Sequence, residues 1–242
     1  MDHTSPDDMV IRAGPGKELK ITKDTVRLIL GLPSAGGGLE HINWKGRVNA
    51  ATKFRNELGI GRGAIKIETL QNRIADGGID DLTMRCFFIV FFNRLLFPQA
   101  SWDVTNQDIE LTEDITNFSD IDRCQLIFNN LCDSVQSWHD QKDNHVSRTI
   151  YGCSVVILLY YLDHLDHPSS PDNKYGTPHI SFYNRVIIKE LVKADWRHAR
   201  DGIETFGRCH LVTDMVCCFV SSCLGQLYKY NICATPEELA KK

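Results

Sequence analysis

Apolar positions recur along this chain at helical spacing, and the pattern predicts a series of α-helices. The clearest case is residues 119–138, where apolar side chains three or four positions apart would share one face. Ser119 is the predicted N-cap of this helix, and Asp120 and Asp122 lie in its first turn, where the helix dipole favours negative charge. The residues of the apolar face are Ile121, Cys124, Phe128, Leu131, Val135 and Trp138.

Two further stretches are apolar enough to predict buried helices. Residues 82–97 (LTMRCFFIVFFNRLLF) follow Asp80 and Asp81, either of which can cap a helix, and precede Pro98, which stops one. Residues 150–166 (IYGCSVVILLYYLDHLD) are apolar until a polar end at Asp163. Neither stretch reaches the ~20 uninterrupted apolar residues that span a bilayer, so membrane insertion is not expected.

Shorter helices are predicted between these segments. Thr22 or Asp24 can cap a helix that ends at Gly31, because Pro33 prevents its continuation. The glycines at positions 59, 61 and 63 divide residues 44–73 into two helical pieces, and residues 182–196 and 210–230 also have helical patterns. Strand signals are few. The sequence therefore predicts a mostly α-helical fold, a single domain of about seven to nine helices around one core with little or no sheet.

The ends of the chain differ from its middle. Residues 1–20 are polar and punctuated by proline and glycine, which predicts a flexible N-terminal lead-in. The helical domain is predicted to span residues 21–233. Thr235-Pro-Glu-Glu is typical of a helix start, so residues 234–242 are expected to be a tail or the beginning of a truncated helix.

Composition and charge narrow the functional classes. The 242 residues are 43% hydrophobic and 24% charged, which is ordinary for a globular protein, and the net charge of −4 gives no overall attraction to nucleic acid or acidic membranes. The nine cysteines form no CxxC pair. The odd number of cysteines, without a signal-peptide pattern, favours a reducing compartment. We expect a protein that is not secreted and lies in the cytosol or the nucleus.

A local basic region is the first candidate for a functional surface. Residues 44–73 contain seven cations and only two carboxylates, Glu57 and Glu68. Basic groups neutralise phosphates, and an aromatic such as Trp44 or Phe54 could stack on a base. The plainer alternative is a solvated helix face. The predicted nucleic-acid-binding residues are Lys45, Arg47, Lys53, Arg55 and Arg62.

A second candidate is a cluster of metal-capable side chains at the end of the apolar stretch. It consists of Asp163, His164, Asp166 and His167. In a continuous helix, residues 163 and 167 would share a face, as would 163 and 166. A catalytic zinc needs three protein ligands, so further ligands would have to come from elsewhere, for example His179 or His145. The alternative is a polar helix end closed by Asp–His hydrogen bonds.

Other catalytic motifs are not supported. Residues 31–36 have the first half of a P-loop spacing, but Gly37 and Gly38 occupy the places of the required Lys and Ser or Thr. Residues 59–63 lack the GxGxxG spacing. Cys153 lies in an apolar run where its thiol would ionise poorly. We assign no catalytic residue, cofactor or small-molecule substrate.

Three segments, taken in order, resemble a plant protein family. They are ITKDTVRLILGLPSAGG, RCFFIVFFNRLLFPQAS and IYGCSVVILLYYLDHLDHP. They are similar to the GLP-x-x-GG opening, the long apolar helix with a Pro-x-x-Ser turn, and the Tyr-Leu-Asp helix of the aminotransferase-like plant mobile domain. Similar regions precede the Ulp1-type cysteine protease of some plant transposon proteins. The resemblance covers roughly residues 20–185.

The resemblance implies a helical domain of plant transposable-element origin with a nuclear role, and it carries over no catalytic residues. We therefore expect a non-enzymatic domain that binds protein or nucleic-acid partners. The alternative is a metal-dependent hydrolase or nuclease that uses the cluster at Asp163. A third possibility is a decayed element product with no selected activity.

Overall fold

Helices dominate the computed structural model, which describes residues 2–14, 16–34, 36–37, 50–98, 103–113, 121–141, 151–171, 176–198 and 204–212. The prediction of a mostly α-helical fold is confirmed, since these residues contain eight α-helices and only two short antiparallel strand pairs. The helices are α1 (Lys23–Leu30), α2 (Ala50–Glu57), α3 (Ile67–Ala75), α4 (Asp81–Phe91), α5 (Asn106–Leu111), α6 (Arg123–Asp140), α7 (Val155–Asp163) and α8 (Arg185–Asp195).

The chain divides into two compact units. Unit 1 consists of Met1–Asp2, Thr22–Val26 and Leu32–Ser154, and unit 2 of His3–Ile21, Arg27–Gly31 and Val155–Lys242. Unit 1 therefore contains α2 to α6. Unit 2 contains α7, α8 and the four strands, which are β1 (Val10–Gly14), β2 (Lys17–Lys20), β3 (Arg197–His198) and β4 (Glu204–Thr205).

The core of unit 1 forms where α2, α3, α4 and α5 turn their apolar sides inward. Asp80 caps α4 by accepting a hydrogen bond from the Thr83 N–H (2.7 Å), as predicted. The helix continues as a π-helical turn, Phe92–Leu96, and ends before Pro98. Apolar side chains at helical spacing thus bury one side of each helix. The core cluster comprises Ala50, Phe54, Ile65, Leu70, Cys86, Ile89 and Ile109.

Helix α5 lies in a stretch for which the sequence predicts no helix. Thr105 and Asp108 form a capping box at its start. The Asp108 carboxylate is buried and also accepts from the Asn93 amide (2.8 Å). Two mutually satisfied polar groups stabilise a short helix that propensity alone would leave marginal.

Helix α6 begins later than predicted because Asp122, not Ser119, is its N-cap. Asp122 accepts from the Gln125 N–H (2.9 Å), and its other oxygen pairs with the Lys23 ammonium (2.8 Å). The carboxylate therefore satisfies an orphan N–H of the first turn and a cation together. The predicted apolar face is present, since Cys124, Leu131 and Val135 are fully buried.

A β-hairpin occupies residues that the sequence predicted to be a flexible lead-in. Strands β1 and β2 pair antiparallel, with Ile11 opposite Leu19, and both side chains are buried. The Lys17 ammonium donates to the carbonyls of Gly207 (3.0 Å) and Cys209 (2.8 Å), also in unit 2. These contacts with residues distant in the sequence stabilise the hairpin. Its own polar, glycine-containing sequence therefore does not predict the two strands.

Helices α7 and α8 are shorter than predicted. Gly152 adopts a positive φ of 70°, which is incompatible with a right-handed helix, and α7 starts at Val155. Asn184 caps α8 by accepting from the N–H groups of Val186 (2.9 Å) and Ile187 (3.0 Å). The predicted helix over 210–230 and the tail over 234–242 lie almost entirely outside the described residues.

Candidate functional site

Helix α2 and the glycine loop that follows it (residues 59–63) present the described part of the predicted basic region. Ala50 and Phe54 point into the core, which turns Lys53 outward with 66% of its side chain exposed. Arg62 is exposed on the loop. The Arg55 Nε donates to the Gly63 carbonyl (3.0 Å), which holds its guanidinium beside the loop. We call Lys53, Arg55 and Arg62 the basic surface.

The one carboxylate on α2 does little to neutralise this surface. Glu57 Oε2 accepts from the Arg85 Nη1 (3.0 Å), whereas Oε1 lies 4.0 Å from Lys53 Nζ. Arg85 is itself nearly buried, donates to the Thr112 carbonyl (3.0 Å) and stacks over the Phe54 ring (4.7 Å). Because Arg85 offsets Glu57, the basic surface keeps a net positive charge.

One aromatic residue of the predicted basic region is placed differently from the prediction. Phe54 is fully buried beneath Arg85, so the prediction that it could stack on a base is wrong. Its spacing from Ala50 already fitted a core position. Lys45, Arg47 and Trp44 lie outside the described residues.

A buried network surrounds Asp163, the last residue of α7. His179 Nδ1 lies 2.7 Å from Asp163 Oδ2 and donates to it, and the Tyr183 hydroxyl donates to Oδ1 (2.6 Å). Asp163 and His179 are almost wholly shielded from solvent. Burial, together with the Asp163 charge, raises the pKa of Tyr183 well above its usual range, so the hydroxyl stays a donor.

The predicted metal cluster does not assemble. Helix α7 ends at Asp163 because the backbone then pairs with a later segment: the Asp166 N–H donates to the His210 carbonyl (2.9 Å), and the Val212 N–H to the His164 carbonyl (2.8 Å). The shared helix face assumed for residues 163, 166 and 167 is therefore absent. His164 Nδ1 lies against the Tyr160 carbonyl (2.7 Å).

The remaining candidates do not complete a chelating set. His167 Nδ1 accepts from the Ser169 N–H (3.1 Å), and His145 lies outside the described residues. Within the described ranges no group of three or more His, Cys, Asp or Glu side chains is placed to hold a metal ion. His179, named from sequence as a possible further ligand, does reach Asp163, but as a hydrogen-bond donor.

Another buried carboxylate is that of Asp195 at the end of α8, which the sequence does not predict as a site residue. It accepts from the Tyr161 hydroxyl (2.7 Å) and from the N–H groups of Gly207 (3.0 Å) and Cys209 (2.8 Å). Its side chain is fully buried. Asp195 thus ties the end of α8 to the segment after β4. The available signal is an acidic residue at the last position of a helix, which Asp163 and Asp195 both are.

Three of the described thiols are poor nucleophiles in this setting. Burial raises the pKa of Cys86 to about 11, and burial also raises the pKa values of Cys132 and Cys209. For Cys209 the neighbouring Asp195 charge acts in the same direction. Since the thiolate is the reactive form, these environments disfavour chemistry at sulfur.

Comparison with known proteins gives a family but no activity. The family model described as Domain of unknown function (DUF8566) matches residues 1–158. Neither the curated proteins nor the solved structures contain a match. In the part of the chain that the structure describes, no helix has the length and apolar character needed to cross a membrane.

Proposed function

The chain belongs to the DUF8566 family, and from this premise we propose a function on the basis of its exposed side chains. We propose that the protein is a non-enzymatic helical binding module that binds the phosphate backbone of nucleic acid through the basic surface. The observation that carries the proposal is the net positive surface formed by the exposed Lys53 and Arg62 and the half-buried Arg55 on α2 and the glycine loop.

The charge balance of the segment favours a phosphate partner. Residues 50–64 carry three cations and one anion, in a chain whose net charge is −4. The anion, Glu57, is engaged by Arg85 from the core side. A positive surface on an acidic protein can attract polyanions locally, and phosphate contacts supply most of the affinity of sequence-independent binding.

The setting that we propose is nuclear, in a domain of plant transposable-element origin. The resemblance of three ordered segments to the plant mobile domain supports this part of the proposal. It also supports a role in binding rather than in catalysis, since the resemblance brings no catalytic residues.

The test is a fluorescence-anisotropy titration of the full chain against labelled duplex DNA and RNA at several salt concentrations. We expect binding with a steep salt dependence. The triple variant Lys53→Ala, Arg55→Ala, Arg62→Ala should weaken binding by about tenfold or more and flatten the salt slope by about one for each phosphate that it no longer neutralises. The effect should not depend on the sequence of the duplex.

A matched control removes the same charge from another helix. Arg185, Lys189 and Lys193 are all exposed on α8, so their triple alanine variant should bind as the wild type does. Equal reductions of affinity in both variants would mean that only net charge matters and would count against a specific surface. Absence of binding at low salt would overturn the nucleic-acid proposal and favour a protein partner, to be sought by pull-down.

A further inference from the structure

The glycine loop leaves the space in front of its backbone open. A Cβ atom built on Gly59, Gly61 or Gly63 would meet no atom within 4 Å. Gly59 and Gly63 have positive φ angles of 68° and 137°, which other residues rarely adopt. The backbone therefore turns tightly and can be approached closely by a ligand.

The loop also offers unused donors. The N–H of Gly59 donates to the Asn56 carbonyl (3.1 Å), and that of Ile60 to the Arg55 carbonyl (3.0 Å), which closes the end of α2. The next four N–H groups, from residues 61–64, donate to no acceptor among the described residues. Successive backbone N–H groups in a turn are a common anion-binding device in proteins.

Two guanidinium groups accompany these donors. Arg62 is exposed within the loop, between two of its glycines. Arg55 is fixed at the loop by its bond from Nε to the Gly63 carbonyl (3.0 Å), which leaves its terminal nitrogens available. Arginine binds phosphate oxygens in a forked, charge-assisted geometry that is stronger than a neutral hydrogen bond.

We propose that the glycine loop, with Arg55 and Arg62, is a phosphate-binding site that grips one phosphate group of a nucleic-acid backbone. This inference rests on the proposed function and assigns the principal contact within the basic surface. The site differs from a nucleotide-binding loop, since it follows a helix and lacks both the P-loop lysine and the GxGxxG spacing. Free phosphate has the same chemistry and is the alternative source of the ligand.

The experiment measures the backbone amides directly by ¹H–¹⁵N NMR on the full chain. A short DNA duplex is titrated first, and then inorganic phosphate against sodium chloride of equal ionic strength. We expect the amides of residues 61–63 to shift with the duplex and, more weakly, with phosphate, but not with chloride. Shifts confined to other parts of the chain would overturn the site.

Variants separate the loop from general charge. Gly61→Ala keeps the charge, has no positive φ to strain and meets open space, but its methyl group obstructs close approach to the backbone. We expect Gly61→Ala to lower duplex affinity about threefold to tenfold and Arg62→Ala about tenfold, since a hydrogen bond to a charged group contributes more than a neutral one. Lys53→Ala, one charge on the same helix but outside the loop, should have a smaller effect.

The outcomes distinguish the two proposals. Duplex binding that is unchanged in Gly61→Ala and Arg62→Ala but weakened in Lys53→Ala would overturn the loop site and leave the basic surface standing. If no duplex binds, the proposed function fails and the phosphate titration decides the loop: amide shifts that Arg62→Ala abolishes support a free-phosphate site, and unchanged spectra overturn it.

Discussion

Lys53 on α2 keeps 66% of its side chain exposed, whereas Asp195 at the end of α8 is fully buried. Lys53 has one loose ion pair at 4.0 Å, and Asp195 accepts three hydrogen bonds of 3.0 Å or less. The comparison separates two uses of charge. An exposed cation contributes little to folding and remains available to a partner, while a buried carboxylate is fully used inside the protein.

The same contrast holds between the basic surface and the Asp163 network. Both contain side chains that sequence reasoning marked as candidates. Asp163 engages its two oxygens with His179 and Tyr183, which leaves it closed to an external ligand. The Asp163 cluster, which is the more conspicuous motif in the sequence, therefore has a structural role. The accessible surface is formed by the cations of the basic surface, which are dispersed in the sequence.

The largest effect should come from removing the Asp195 carboxylate. Asp195→Ala leaves the Tyr161 hydroxyl and the Gly207 and Cys209 N–H groups without their acceptor. We expect the free energy of unfolding to fall by about 3 kcal/mol or more, since each buried donor left unsatisfied costs about 1–3 kcal/mol. Urea denaturation followed by circular dichroism measures this, with the exposed Asp166→Ala as the control. A decrease no greater than that of the control would erase the contrast between buried and exposed charge.

A smaller decrease is expected in the Asp163 network. Tyr183→Phe keeps the ring and deletes only the hydroxyl that donates to Asp163 (2.6 Å). A hydrogen bond to a charged group contributes about 1.5–3 kcal/mol, and we expect the free energy of unfolding to fall by about 2 kcal/mol in the same denaturation assay. An unchanged midpoint would show that Asp163 finds a replacement donor, and the network would then be more adaptable than its burial suggests.

The buried tyrosines also predict how stability depends on pH. Burial, assisted by the Asp195 and Asp163 carboxylates, raises the pKa values of Tyr161 and Tyr183 in the folded protein. Above the ordinary tyrosine pKa of about 10, the unfolded chain loses these protons while the folded protein keeps them, so stability falls as pH rises. Stability curves from pH 8 to 11 should be less steep for Tyr161→Phe and Tyr183→Phe than for the wild type, in which buried cysteines contribute as well. Parallel curves would contradict the assignment.

The smallest effect on folding is expected at the basic surface. The triple variant Lys53→Ala, Arg55→Ala, Arg62→Ala removes two exposed side chains and the half-buried Arg55. It should change the free energy of unfolding by no more than about 0.5 kcal/mol for each substitution. Weakened binding with retained stability would show that these cations serve a partner and not the fold. A strongly destabilised variant would instead show that the Arg55 bond to Gly63 is structural, and its binding data would have to be replaced by those of Arg62→Ala alone.

The sequence predicts most of the helices, though not α5, because burial periodicity is a local property. The apolar face of α6, the Asp80 cap of α4 and the helix stop at Gly31 all follow from residues close together in the chain. The β1–β2 hairpin was missed because Lys17 is held by carbonyls more than a hundred and eighty positions away. Contacts between residues so far apart in the sequence produce no hydrophobic periodicity from which the strands could be predicted.

The same distinction between local pattern and distant contacts applies to the two candidate sites. The exposed cations of the basic surface are visible in composition, and their places on α2 and the loop follow from the predicted glycine breaks. The environment of Asp163 depends on Tyr183 and on where α7 ends. Residue 164 pairs with residue 212, and residue 166 with residue 210, and this pairing replaces the next helical turn. Sequence spacing assumed a continuous helix and so produced a metal cluster that does not form.

The order in which the two units can fold follows from the chain's path. Unit 2 takes its hairpin from residues 3–21 and its helices from residue 155 onward, with nearly all of unit 1 inserted between. During synthesis, residues 32–154 leave the ribosome before Gly207 and Cys209 have been made, and these two residues contact both Lys17 and Asp195. The hairpin therefore cannot form its Lys17 contacts until the later segment has been made. Closing the long loop between Lys17 and Gly207 is slow. A shortened gene product ending at residue 158, where the family match ends, would leave the buried hairpin residues without the segment that anchors Lys17.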